Sequence, residues 1–333
     1  MHTAATSAPT DPASNPEVAV AARRGVRATP ARGPVGSLVE TTKPGITRLV
    51  TITSMVGFAA SATERVWSWP QLLYVGGLCL VGTALSAAGA NSINQWMERD
   101  RDAVMPRTAH RPLPTGRSTP RAVLLLGVVL SVAGVLALLP LGWAPAAISL
   151  ACVVSYVVFY TPLKTRTTLS TFVGAIPGGL PPLIGWTAGS AATGWEAIRD
   201  PLGLSLAGLM LIWQIPHFLA IAWMYRDDYA TGGFRVLPVL DPDGKWTSLA
   251  IGLWAGTLIP ATLMPAIIAP ERLGATYAAV ALVTGMIYAL LAARFVMTRE
   301  RRHARQVFFA SIMHLPLLLF TLTGEVVIRA FTR

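Results

Sequence analysis

The chain has 333 residues, of which 53% are hydrophobic and only 13% are charged, whereas a soluble domain averages about a quarter charged residues. This composition excludes an ordinary soluble protein and predicts a protein that lies in a lipid bilayer. In a soluble protein a net charge of +11 would suggest nucleic acid. In a membrane protein the same charge reflects topology and an anionic substrate, so we expect no nucleic-acid partner.

Residues 1–40 are predicted to form a disordered basic tail, because they are rich in Ala, Pro, Thr and Arg and contain few large apolar side chains. Beyond this tail, apolar stretches long enough to cross a bilayer as helices recur along the chain. Backbone groups in lipid must find partners within their own segment, which favours helices. We therefore predict one all-α, polytopic transmembrane domain over residues 41–333.

Nine transmembrane spans are predicted. They cover approximately residues 45–63, 70–97, 121–140, 143–162, 170–190, 201–225, 247–269, 274–296 and 307–329. With a cytoplasmic amino terminus and an external carboxyl terminus, 22 of the 27 Lys and Arg residues fall on the cytoplasmic side. Cytoplasmic loops carry an excess of these residues, so the charges favour this orientation. The expected location is the bacterial cytoplasmic (inner) membrane.

Oxygen-bearing side chains recur every fourth residue at the end of the second span, at Asn94, Glu98 and Asp102. Residues at this spacing share one face of a helix. A second acidic pair, Asp227 and Asp228, follows the sixth span and lies on the same side of the membrane in this topology. Both groups are predicted at helix carboxyl ends, where the helix dipole disfavours negative charge. A compensating cation is therefore expected.

Two interpretations of these acids remain open. In the first, they bind a hard divalent ion such as Mg²⁺ together with substrate phosphate, and nearby cations bind the same phosphate. Those cations are Arg107, Arg111, Lys164 and Arg226. In the second, Arg99, Arg101 and Arg226 neutralise the acids in solvated pairs, each worth about 0–1 kcal/mol. Asp100 points away from the other acids of its helix and is predicted to be an arginine partner.

The chain resembles the intramembrane aromatic prenyltransferases of the UbiA type, in particular their heme-directed members. The resemblance covers about residues 40–325 and rests on five segments, of which the second and fourth are the most specific. The segments are TTKPGITRLV at 41–50, NQWMERDRDAVMPRTAHRPLPTG at 94–116, YTPLKTRTTLSTFVGAIPGGLPPLIGW at 160–186, WQIPHFLAIAWMYRDDY at 213–229 and ARQVFFASIMHLPLL at 304–318.

The resemblance implies nine transmembrane helices around a central cavity that opens to the cytoplasmic side. It implies Mg²⁺ as cofactor, farnesyl diphosphate and heme b as substrates, and heme O as a product destined for a terminal oxidase. A downstream heme A synthase or the oxidase assembly is then an expected partner, beside the lipid bilayer.

Site residues also follow from the resemblance, position by position. The two metal-diphosphate motifs fall on Asn94, Glu98, Asp102, Asp227 and Asp228. Asp228 is favoured over its neighbour because it precedes a tyrosine. The expected catalytic residues are Asn94, Glu98, Asp102, Asp228 and Lys164, and the expected substrate-binding residues are Arg107, Arg111, Arg226, Tyr160, His217 and Trp213.

His217 lies within the sixth predicted span, and an ionisable group inside a membrane is a functional candidate. It either contacts the iron or a propionate of heme, or packs between helices with a hydrogen bond to a carbonyl.

Two rival functions remain. One is a prenyltransferase of the same architecture that acts on a quinone precursor or a chlorin. The other is a cation-coupled transporter, which predicts acids near the bilayer midplane and inverted repeats. The acids of this chain lie at predicted helix ends, and the sequence shows no internal repeat.

Overall fold

Helices account for all regular secondary structure in residues 33–332, the part of the chain that this computed structural model describes. The helices are α1 Pro34–Thr41, α2 Pro44–Ala62, α3 Trp69–Val104, α4 Pro120–Leu138, α5 Trp143–Leu163, α6 Ser170–Gly179, α7 Pro181–Gly189, α8 Gly194–Ile198, α9 Pro201–Met224, α10 Arg226–Thr231, α11 Leu237–Leu240, α12 Lys245–Ile268, α13 Ala275–Thr298 and α14 Arg301–Thr332. The predicted all-α membrane architecture is confirmed.

Within residues 33–332, eight helices are long and apolar enough to cross a bilayer, namely α2, α3, α4, α5, α9, α12, α13 and α14. The fifth predicted span, residues 170–190, is instead divided into α6 and α7 before Pro181, because proline lacks the N–H that a continuous helix needs. At the far end of this pair the Ser190 hydroxyl donates to Glu64, 3.0 Å away, beyond the end of α2. The predicted count of nine spans is therefore not confirmed: within residues 33–332 the structure has eight long apolar helices and this pair of short ones.

The last part of the predicted disordered tail is helical, so the prediction is wrong for these residues. Residues 1–32 lie outside the described residues, but residues 34–41 form α1. The Thr41 side chain is buried, with its hydroxyl 3.2 Å from that of Ser92 on α3. The amide of Gln95, also on α3, donates to the carbonyl oxygen of Thr41 at 3.2 Å. These contacts with α3 give the segment a partner that its composition alone did not predict.

The long helix α3 carries the predicted ladder of oxygen-bearing side chains. It begins at a capping box formed by Ser68 and Gln71 and continues for 36 residues, about 54 Å at 1.5 Å per residue. The hydrocarbon core is about 30 Å thick, so the last turns extend beyond it. Glu98 and Asp102 follow the predicted end of the span at residue 97, yet they remain on the same continuous helix. The predicted helical spacing of the ladder is confirmed.

Two local features shape the packing of α5 and α6. Residues Ser155–Tyr160 form a π-helical turn within α5, a feature that is frequent at functional sites. Two glycines of α6 then allow close packing. A Cβ on Gly174 would lie 2.5 Å from the ring of Tyr160, and one on Gly178 would lie 2.0 Å from the amide oxygen of Gln214. Larger residues at either position would push these side chains into the interior.

Candidate active site

A cavity of about 630 Å³ lies inside the bundle, within the range of small-molecule sites. Its body is lined mainly by apolar side chains such as Leu49, Ile184 and Ile221. The end near the last turns of α3 and α5 is polar and carries four cationic and two anionic side chains. These are Lys43, Arg107, Arg111 and Lys164, with Glu98 and Asp102. The cavity therefore joins an apolar compartment to a cationic end that suits a diphosphate.

Both acids of the α3 ladder are buried and each is paired with a cation. Arg111 Nη1 lies 2.8 and 2.6 Å from the two carboxylate oxygens of Asp102, which is 1% exposed. Lys164 Nζ lies 2.8 Å from Glu98 Oε1, and Glu98 is 5% exposed. Removing one partner of such a buried pair leaves an uncompensated charge and destabilises a protein by about 3–5 kcal/mol. These cations also compensate the negative carboxyl end of α3.

Asn94 lies behind the cavity wall, where its side chain is fully buried. Its Oδ1 accepts a hydrogen bond from Lys43 Nζ, and its Nδ2 donates to Thr161 Oγ1 at 3.0 Å. The amide therefore holds the Lys43 ammonium at the polar end of the cavity. Lys43 itself has a φ of 49° immediately before α2, in the left-handed region that non-glycine residues seldom adopt. The fold maintains this conformation and thereby keeps the lysine at the site.

The two lysines of the polar end have pKa values shifted in opposite directions. Burial lowers the pKa of Lys43 to about 7, and the neighbouring Arg111 charge acts in the same direction. Burial opposes the charged form of Lys164 as well, but the Glu98 carboxylate and nearby tyrosines outweigh it and hold the pKa of Lys164 well above its ordinary value. Lys164 therefore holds its proton firmly, whereas Lys43 gives up its proton more readily than an ordinary lysine.

Arg107 connects the loop after α3 to the segment around α10. Its guanidinium lies over the rings of Tyr225 and Tyr229, 5.3 and 5.4 Å from their centroids, and Nη2 lies 3.4 Å from the hydroxyl of Tyr229. Among residues 33–332 its buried Nε has no hydrogen-bond partner. A buried donor in this state calls for an acceptor, and a substrate oxygen in the cavity that Arg107 lines would supply one.

The second acidic pair is arranged differently. Asp227 and Asp228 lie in the first turn of α10, because the backbone leaves helical geometry at Tyr225 between α9 and α10. Their predicted position at a helix carboxyl end is therefore wrong, and the amino-terminal dipole of α10 favours their charge. The Asp227 side chain is 100% exposed and lies 3.9 Å from Arg226. Neither acid lines the cavity, and Arg226 does not either.

The interpretation of the acids as solvated pairs with arginine thus holds for the exposed acids Asp100 and Asp227. Asp100, 83% exposed, pairs with Arg99 at 3.5 Å, which confirms its prediction as an arginine partner. Among the described residues, no group of three His, Cys, Asp or Glu side chains is placed to hold a metal ion. A hard cation bound here would complete its coordination with other oxygen ligands, such as water or substrate oxygens.

The predicted aromatic and histidine residues all line the cavity. The His217 ring stacks between Trp213 and Phe308, with centroids 4.9 and 5.2 Å away. Its Nδ1 lies 2.7 Å from the hydroxyl of Ser311 rather than from a backbone carbonyl. Tyr160 presents its ring to the Lys164 ammonium at 4.8 Å. The packing around His217 fixes the plane of its ring at the cavity wall.

A sequence model of the UbiA prenyltransferase family matches residues 50–315. The chain belongs to this family. Among curated relatives, it is 38% identical over 286 residues to the protoheme IX farnesyltransferase of Solibacter usitatus, covering 84% of this chain and 95% of that one. It is 41% identical over 285 residues to the protein of the same name from Anaeromyxobacter sp., covering 84% and 90%.

Solved structures of the family share the fold. A structure of digeranylgeranylglyceryl phosphate synthase aligns with a TM-score of 0.71 at 14% identity, covering 88% of this chain and 99% of that one. A UbiA homolog from Archaeoglobus fulgidus, bound to GPP and Mg²⁺, aligns with a TM-score of 0.61 at 13% identity, covering 86% and 99%. At these identities the likeness establishes the fold of the chain.

Sequence reasoning missed Lys43 and Thr161 as site residues. Lys43 stands in the first segment that carries the UbiA resemblance, but the sequence motifs assign no role to it. Composition offered a signal, because the chain contains 24 arginines and three lysines, Lys43, Lys164 and Lys245, and two of these lysines line the cavity. For Thr161 the sequence offers no comparable signal, since its role depends on the contact between α3 and α5.

Proposed function

We propose that this protein transfers the farnesyl group of farnesyl diphosphate to a vinyl group of heme b, with addition of water, to give heme O and inorganic diphosphate. The observation that carries the proposal is the cavity, which joins a cationic end to an apolar body. A farnesyl diphosphate has the same division into an anionic head and an apolar chain. The relatives named protoheme IX farnesyltransferase support the choice of acceptor.

The first task of the site is to stabilise the leaving group. The bond between C1 of the farnesyl chain and the diphosphate oxygen breaks, and its electron pair goes to the diphosphate. Lys164 and Arg111 are already held at the polar end by Glu98 and Asp102, so their charges need little reorganisation as negative charge develops. Preorganised charges of this kind supply several kcal/mol of transition-state stabilisation. Arg107 adds the unpartnered Nε to the same end.

Magnesium forms part of this proposal. Of the predicted ligands, Glu98 and Asp102 fit best, because both are buried carboxylates that line the cavity. Mg²⁺ is usually held by one or two carboxylates together with substrate phosphates, so two acids suffice once a diphosphate is present. The bound ion would supply positive charge opposite the departing diphosphate. Asn94 lies one helical turn before Glu98 and accepts a hydrogen bond from Lys43, so in this proposal it positions Lys43 rather than binding the ion.

The second task is to guide the allylic cation to its acceptor. The π electrons of the heme vinyl group form a bond to C1 of the farnesyl group, which leaves a cation on the vinyl carbon next to the porphyrin ring. Water adds to this carbon and loses one proton, which the diphosphate accepts. Tyr156 and Tyr160 line the cavity with their rings 5.4 Å apart, and such rings stabilise a nearby cation. The apolar wall excludes other water until that addition.

His217 is proposed to contact heme b. Its ring is fixed between Trp213 and Phe308, and Ser311 occupies Nδ1, which leaves Nε2 as the ring nitrogen available to a ligand in the cavity. Heme titration of the purified protein, followed by the Soret absorbance, tests this contact. We expect His217→Ala to weaken heme binding about tenfold. Unchanged heme affinity would return His217 to a packing role.

The proposed setting is the bacterial cytoplasmic membrane, with the amino terminus and the polar end of the cavity on the cytoplasmic side. The distribution of Lys and Arg supports this orientation. Heme O would then leave through lipid toward an enzyme that modifies it or an oxidase that incorporates it.

To test the proposed function, farnesyl diphosphate, Mg²⁺ and either heme b or 4-hydroxybenzoate are added to membranes that contain the protein. We expect a farnesylated, hydrated heme by mass spectrometry, and its loss on chelation of Mg²⁺. Prenylation of the benzoate alone would reassign the acceptor to quinone precursors. Ion flux in liposomes without release of diphosphate would favour the transporter.

A further inference from the structure

A second, smaller cavity of about 230 Å³ adjoins the polar end of the active site. Glu98 and Phe234 line both cavities, so these two side chains form the partition between them. On the far side of the partition the walls carry Arg101 from α3 and Arg166 from the loop after α5. The volume is several times the roughly 30 Å³ that one water molecule occupies in the liquid, and it is large enough for a small anion.

The two arginines of this cavity differ from neighbouring arginines in their pairing. Arg99 pairs with Asp100, and Arg111 with Asp102. By contrast, within residues 33–332 neither Arg101 nor Arg166 has an ion-pair or side-chain hydrogen-bond partner. Both side chains are exposed, so their guanidinium groups remain free to bind an anion from solution. Guanidinium groups bind phosphate oxygens strongly, because each can donate two parallel hydrogen bonds to them.

The small cavity adjoins the polar end of the main cavity, the end from which a charged product would leave. Inorganic diphosphate cannot depart through the apolar body of the main cavity, because an ion is costly to move into an apolar medium. Lys164 lines the main cavity and contacts Glu98 of the partition. Immediately beyond Glu98 stand the two unpaired arginines. Diphosphate must be separated from the cations of the main cavity before it reaches solvent. Cations on both sides of the partition would let it leave in two steps, each with a smaller electrostatic barrier than a single departure.

We propose that Arg101 and Arg166 form a second anion site, which binds inorganic diphosphate after it leaves the main cavity. The proposal rests on the proposed function for the source of the anion, but the binding site itself can be tested without heme and without turnover.

The experiment titrates the purified full-length protein with inorganic diphosphate and Mg²⁺ by calorimetry, in nanodiscs of phosphatidylcholine, where no anionic lipid headgroup competes. The test variant is R101Q/R166Q. The control, R99Q/R121Q, removes the same charge from side chains that line neither cavity. We expect two binding sites in the wild type and the control, and one in the test variant.

In steady-state assays, we expect product inhibition by inorganic diphosphate to weaken about tenfold in the test variant, while KM for farnesyl diphosphate changes less than about twofold. A single site in the wild type would overturn the proposal. An equal loss in the control, or an equally large rise in KM, would overturn it too, since the arginines would then act through general charge or within the main cavity. Diphosphate binding that follows the proposal in a protein that makes no farnesylated heme would overturn the proposed function alone.

Discussion

The acids of α3 and those of α10 lie near the same end of the bundle, yet they have different surroundings. Glu98 and Asp102 are buried, line the cavity and each contact a cation within 3 Å. Asp227 is fully exposed, and neither it nor Asp228 reaches the cavity. The α3 acids lie at a helix carboxyl end, where their charge needs compensation, whereas the α10 acids lie in a first helical turn that favours it.

From this difference we expect burial and pairing, more than charge or proximity, to distinguish the acids on which the candidate site depends. A buried carboxylate fixes the position of its cation, because both groups are held in a medium of low dielectric constant. An exposed acid beside an arginine contributes little, since water screens the pair. Replacement of a buried, paired acid should therefore reduce activity more than replacement of an exposed one.

The largest effect is expected for Glu98→Gln and Asp102→Asn. Each change keeps the side-chain volume but removes the carboxylate that holds Lys164 or Arg111. We expect the rate of farnesyl transfer to fall about 10²- to 10³-fold, measured by chromatography of the heme product at matched protein levels. Asp100→Asn is the control on the same helix, since Asp100 is exposed, and its rate should stay within about twofold. Near-wild-type activity of either ladder variant would remove that acid from the site.

A smaller effect is expected for Lys43→Met, which removes a cation from the polar end without breaking an ion pair. Lys43 donates to Asn94 and lines the cavity, so its loss should weaken the hold on the diphosphate. We expect KM for farnesyl diphosphate to rise about tenfold, equivalent to about 1.4 kcal/mol, with a smaller change in kcat. The exposed Lys245 provides the control Lys245→Met. Equal KM values in the two variants would contradict a role for Lys43.

Asp228→Asn tests whether the α10 acids affect the site despite lying outside the cavity. Asp228 is partly exposed and precedes Tyr229, which contacts Arg107. We expect an intermediate loss in rate, about tenfold, because the variant disturbs the segment that packs on Arg107 while leaving the α3 ladder intact. Assays over a range of Mg²⁺ concentrations provide the measurement. A loss as large as that of Asp102→Asn, relieved by high Mg²⁺, would mean that α10 moves onto the site when substrate binds.

The sequence was sufficient for the class of fold and for several of the residues that line the candidate site. Apolar stretches located the eight long membrane-spanning helices of the described residues, and four-residue spacing placed Asn94, Glu98 and Asp102 on one face of α3. It could not show that Asn94 turns behind the cavity wall toward Lys43, because that depends on how α2 and α3 pack. Nor could it show the break at Tyr225, which moves the second acidic pair from the end of one helix to the start of another.

The smallest effect is expected for Asp227→Asn. Its carboxylate is fully exposed and lies 3.9 Å from Arg226. That arginine also donates to the Pro242 carbonyl and lies over the Trp223 ring. Arg226 therefore keeps its position without the acid, and we expect farnesyl transfer to stay within about twofold of wild type. Asp227→Asn and Asp228→Asn remove the same charge from adjacent residues of α10, so each is the matched control for the other. If the two losses were equal and large, the charge of α10, and not the position of one side chain, would be what the site requires.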